Sequence, residues 1–142
     1  MDKRTKTDTI VIHCTQTPDD MDFGVEKVTE WHKNRGFDTI GYHYLIKRDG
    51  TLQEGRQQDE VGAHAVAVNG NSVGVALAGG GTPSMGWENN FAPIQFETLK
   101  TIILKLKKDY EIEKVIGHYQ VDDKKECPSF DVPGWLQENG LV

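Results

Sequence analysis

Two apolar, β-branched runs in this chain end on a histidine. Thr9-Ile10-Val11-Ile12 leads into His13, and Val115-Ile116-Gly117 leads into His118. Nine residues later Cys127 precedes Pro128 in a polar, glycine-free loop. A strand tip is a rigid place from which to hold a ligand-binding side chain. Two imidazoles and one thiolate are three borderline ligands, the number a catalytic zinc site uses while it keeps a fourth position open for water or substrate. There is no closely paired CxxC motif, which disfavours a closed structural zinc site. On spacing alone two rival readings stay open: a Cys-His nucleophile pair in which Cys127 attacks, and unrelated core residues. Strand alternation puts Ile10, Ile12 and Cys14 on one face and Val11 and His13 on the other. Cys14 is thereby expected to be a small buried hydrophobe.

The elements that must position these groups follow from periodicity. Val25, Val28, Trp31 and Arg35 lie at helical spacing before Gly36, which predicts a helix over 24–35. Tyr42–Lys47 and Thr51–Glu54 flank the Arg48-Asp49-Gly50 turn and predict a hairpin. Ser72–Ala78 reads as a buried strand closed by three glycines, followed by an exposed loop to Asn90. Phe96, Leu99, Ile103, Leu106 and Tyr110 predict an amphipathic helix over 93–110, its lysines forming the solvated face. A last short helix surrounds Trp135 and Leu136. The order β-α-β-β-β-α-β-α indicates an α/β (α+β) fold, a central mixed β-sheet flanked by helices. On this frame His32 is expected at the surface. His43, next to Tyr42 on a strand, is expected on the opposite face from it, in the core or supporting the site.

Residues 1–142 are the usual size for one domain, here with a polar segment at 1–8. The sixteen Lys and Arg against twenty-two Asp and Glu give a net charge of −6. No global positive field exists for nucleic acid or anionic lipid. No apolar run reaches the roughly 18–20 residues of a membrane span, and the N-terminus has no secretory signal. Synthesis in the cytoplasm, no membrane insertion and a monomer are the expectations. Two cysteines permit at most one disulfide, and a cytosolic domain of this size does not need one.

Taken in order, several short motifs resemble the zinc-dependent N-acetylmuramoyl-L-alanine amidases, above all the single-domain amidase-type phage lysozymes, and more distantly the peptidoglycan-recognition proteins. They are Val11-Ile12-His13-Cys14, Trp31-His32-Lys33, Gly41-Tyr42-His43-Tyr44 through Gly50, Gly55-Arg56, Val61-Gly62-Ala63-His64-Ala65, Asn71-Ser72-Val73-Gly74-Val75, His118 and Cys127-Pro128-Ser129-Phe130-Asp131. The likeness runs from about Asp8 to Val142. Ala67 departs from it, since many relatives carry glycine there.

The resemblance implies that His13, His118 and Cys127 bind Zn2+ and that Tyr42 and Lys125 are catalytic. It also implies that the substrate is the amide between N-acetylmuramic acid and L-alanine in peptidoglycan. Lys124 beside Lys125 is the alternative lysine, because the stretch between His118 and Cys127 is one residue longer than in the nearest phage enzymes. In this scheme Tyr42 orients water or moves its proton, and Lys125 stabilises the tetrahedral oxyanion. His64, in a polar loop, is the candidate substrate contact. Asn69 and Asn71 serve either the loop or the peptide stem, and Trp87 either stacks on a sugar or shields the core. The leading expectation is a phage endolysin that reaches a thin Gram-negative wall in the periplasm after a holin opens the membrane. The alternatives are a peptidoglycan-binding module without activity, a bacterial recycling amidase, and a lysozyme that also inhibits its phage's RNA polymerase.

Overall fold

A computed structural model describes residues 2–142. Five strands form one sheet: β1 (Thr9–Cys14), β2 (Tyr44–Ile46), β3 (Leu52–Glu54), β4 (Ser72–Leu77) and β5 (Lys114–Gly117), in the spatial order β3-β2-β4-β1-β5. β1 pairs in parallel with both β4 and β5, β4 pairs in parallel with β2, and only the β2–β3 hairpin is antiparallel. The helices are α1 (Val25–Asn34), α2 (Pro93–Asp109) and α3 (Val132–Glu138). The mixed sheet and the element order match the expectation. No helix among the described residues is long and apolar enough to cross a membrane.

The sheet separates two apolar layers because its central strands are buried on both faces. Ile10 and Ile12 of β1 and Val73, Val75 and Leu77 of β4 pack against Leu99, Ile102, Ile103 and Leu106 of α2 and against Val132 and Leu136 of α3. The opposite face carries Leu45 and Ala76 against Val28 of α1, and Val11 with Ile116 against Ala65. His13 projects on this second face, as the alternation from Val11 requires.

The register fixes the site. β1 and β5 are parallel with Ile12 opposite Gly117, so the residues that follow, His13 still within β1 and His118 just past β5, lie side by side. Their ring centroids lie 4.5 Å apart. At the same end, the Asn90 side chain accepts from Gly80 N–H and donates to the carbonyls of Thr17 and Gly81, tying together the loops after β1 and β4. At the other margin the N-terminal segment lies along residues 58–61. Arg4 N–H donates to Asp59 O, Val61 N–H to Asp2 O, and the Arg4 guanidinium to the carbonyls of Gln58 and Glu60.

Candidate active site

At the carboxyl ends of the parallel strands, a cleft of about 410 Å³ is lined by His13, Cys14, His32, Tyr42, His64, His118, Lys125, Cys127 and residues of the flanking loops. This is the usual position of a site in an open sheet of parallel strands. The fold brings all of the sequence-predicted site residues to this one cleft. Lys125 lines it and Lys124 does not.

Each group has an identifiable mooring. His13 is held by β1 and is buried, and His118 opens a short 3-10 turn (His118–Gln120) directly after β5. Cys127 is buried in the next loop, where its Sγ accepts from Cys14 N–H at 3.0 Å. That loop also bonds back to the turn after β5, with Tyr119 N–H donating to Cys127 O at 2.9 Å. One ligand atom from each of His13, His118 and Cys127 lies within 4.8 Å of the others, and His13 Nδ1 is 3.9 Å from Cys127 Sγ. His118 Nε2 is in turn 3.9 Å from a carboxylate oxygen of Asp122.

The chemistry of this donor set suits a metal ion. Burial, reinforced for His13 by His64 and His118, holds that imidazole well below its usual pKa and therefore neutral, with a lone pair to offer. His118 is lowered for the same first reason, against the pull of Asp122. Burial pushes the Cys127 thiol up, so its ionisation calls for a cation beside it. The main-chain N–H of Cys14 supplies a ready donor to the sulfur. Both cysteines are free, and Cys14 is buried.

Two expectations need correction. His32 is buried, not a surface residue. Its Nδ1 accepts from Gly41 N–H at 2.8 Å and its ring stands 5.2 Å from that of Tyr42. Burial, with Arg35 and Arg56 nearby, lowers its pKa to about 4. A lone polar side chain on a helix gives no sign of an acceptor role toward a distant loop. Secondly, Tyr42 and His43 do not alternate across a strand. β2 begins only at Tyr44 and the chain bends before it, so the Tyr42 ring lies 5.1 Å from His13 and the His43 ring 5.5 Å from His64. The close approach of this segment to residue 63 needs glycine at 41, where a Cβ would fall 2.1 Å from the Ala63 carbonyl oxygen.

His43 is fully buried and accepts at Nδ1 from Gly74 N–H, which places it in the supporting layer. Burial also raises the Tyr42 hydroxyl far above its ordinary pKa, so Tyr42 stays a neutral phenol. His64 has both nitrogens engaged, Nδ1 2.8 Å from His13 Nε2 and Nε2 3.2 Å from Ser72 Oγ. The Asn69 side-chain Oδ1 accepts from the N–H groups of His64 and Ala65, both at 2.9 Å, and Asn71 donates to Asp8; both asparagines hold the loop. Trp87 lines the cleft.

Comparison with known proteins settles the family. Residues 3–130 match the family described as N-acetylmuramoyl-L-alanine amidase. The chain is an N-acetylmuramoyl-L-alanine amidase family member. This amidase is 42% identical over 140 residues to the endolysin of Klebsiella phage KP32 and 40% identical to the endolysin of Escherichia phage T7, in each case across 99% of this chain and 92% of the relative. Among solved structures, it resembles the N-acetylmuramoyl-L-alanine amidase LysC from Clostridium intestinale URNW with a TM-score of 0.80. That match has 30% identity and covers 95% of this chain and 86% of the other. The amidase therefore hydrolyses peptidoglycan, and its His-His-Cys cluster agrees with the metal dependence general to the family.

Proposed function

We propose that this amidase is a zinc-dependent phage endolysin that cuts the amide between N-acetylmuramic acid and L-alanine during host lysis. The observation that carries this reading is one cleft that joins His13, His118 and Cys127 to Tyr42 and Lys125. The two endolysin relatives, matched over nearly their whole length, support the phage role. Zn2+ would be held by His13, His118 and Cys127. When bound it supplies Lewis acidity toward the scissile carbonyl and a nucleophile active near neutral pH.

The remaining chemistry belongs to the chain. Tyr42, as a neutral phenol packed against His13 and His32, orients water at the reacting carbon and passes a proton through its hydroxyl. Lys125 places an ammonium beside the oxygen on which negative charge grows in the transition state. His64, whose nitrogens face His13 and Ser72, lines the cleft and meets substrate there. Holin-dependent access to the periplasmic wall belongs to the same reading.

The test combines metal analysis with the bond actually cut. Purified protein is expected to carry about one zinc per chain, to clear a peptidoglycan suspension and to release peptides with new L-alanine amino termini, all lost on chelation. New reducing sugar ends without new amino termini, or full activity without metal, would overturn it.

A further inference from the structure

A hydrogen-bonded chain runs from His13 away from the cleft. His13 Nε2 meets His64 Nδ1 at 2.8 Å, His64 Nε2 meets Ser72 Oγ at 3.2 Å, and Ser72 Oγ meets the carbonyl oxygen of Val68 at 2.6 Å. The far end sets the direction of every proton. A carbonyl only accepts, so the single hydroxyl proton of Ser72 is committed to Val68. Ser72 Oγ can then only accept from His64, which must carry its proton at Nε2. His64 and His13 are buried, and no carboxylate is among their hydrogen-bond partners in the described residues, so both rings are neutral. Neutral His64 has a bare Nδ1, which accepts from His13 Nε2–H. His13 is left with its lone pair on Nδ1, the nitrogen that faces Cys127 Sγ.

We infer that Ser72 and His64 are positioning residues that fix the tautomer of His13 and so present Nδ1 to the metal; the metal itself rests on the zinc reading above. The surroundings keep the chain in register. Asn69 holds the backbone of His64 and Ala65. Gly74 leaves room for the His64 ring, since a Cβ there would stand 2.6 Å from its Cγ. A ligating histidine commonly donates its second ring N–H to an acceptor that fixes its orientation. Here the acceptor is another histidine, and its own proton is set two bonds further on by a serine.

Long-range 1H–15N spectra of the metal-free protein at neutral pH test the tautomers directly, with His13 and His64 both expected to be protonated at Nε2. Zinc affinity, read by competition with a chromophoric chelator, is expected to fall roughly 10- to 100-fold in His64→Leu, and by less in Ser72→Ala, whose main chain still meets His64. It should return to within a few-fold of the parent in His64→Asn, whose side-chain oxygen restores an acceptor near the position of Nδ1. His13 protonated at Nδ1 in a parent protein that binds zinc overturns the inference, as does unchanged affinity in both deletions or equal loss in His64→Asn and His64→Leu. A parent with the stated tautomers that takes up no zinc overturns the metal reading instead, and with it the purpose of the chain.

Discussion

The main-chain N–H of Cys14 donates to Sγ of Cys127 across 3.0 Å, so the residue next to one histidine of the cluster holds the sulfur of the loop opposite. That contact joins the tip of β1 to a loop 113 positions further along the chain. Cys127→Ser keeps an acceptor for Cys14 but replaces the soft, ionisable sulfur proposed to hold zinc by a hydroxyl. Zinc affinity should fall by more than the roughly 10- to 100-fold typical of losing a supporting partner, and wall clearing should fall with it. Parallel metal analysis and turbidity measurements check this; a serine variant that lyses as fast as the parent contradicts it.

Lys125 lines the cleft and its neighbour Lys124 does not. Lys125→Ala should lower turnover by about 100- to 1000-fold, the usual cost of removing one oxyanion donor. Lys124→Ala should stay close to the parent. Steady-state rates of the two variants on one peptidoglycan preparation decide between them, and the reverse ordering would reassign the ammonium.

Tyr42 packs its ring against His13 and His32, so Tyr42→Phe retains the packing and removes only the hydroxyl. Turnover is expected to drop by at least about 100-fold while zinc content and melting temperature stay near those of the parent. Loss of zinc in this variant would show that the phenol acts through the metal ligands and not on the substrate.

All five histidines are held below their usual pKa chiefly by burial, His32 and His43 to about 4. The unfolded chain protonates its histidines near the ordinary value of about 6.5. Below that pH the unfolded state therefore binds more protons than the folded one. Stability of the chelated protein should be full above about pH 6.5 and decline steadily toward pH 4. Urea midpoints at pH 7.5, 6 and 5 measure it, and a flat profile over that range would contradict the burial argument.

Much of this arrangement is legible in the residues themselves. The β-branched runs that end on His13 and His118 announce two strand tips, and parallel pairing needs only Ile12 opposite Gly117 to bring them together. What stays hidden depends on irregular backbone. The burial of His32 turns on one N–H from Gly41, and the shared side of Tyr42 and His43 on a bend that strand alternation does not describe. Likewise, nothing in the spacing of His64 and Ser72 shows that they meet. That contact is made by a loop folding back through Asn69.

The sheet order also sets the point in synthesis at which the His-His-Cys cluster can first assemble. β5 is an edge strand whose residues follow those of every other strand in the sheet, and it alone delivers His118, with Cys127 after it. A growing chain emerges N-terminal first, so β1, β4 and the hairpin are available to pair while two of the three cluster residues are still unmade. The three-residue cluster can therefore form only after β5 and the loop that follows it have been made, and prematurely terminated chains ending before β5 are predicted to be inert toward the wall.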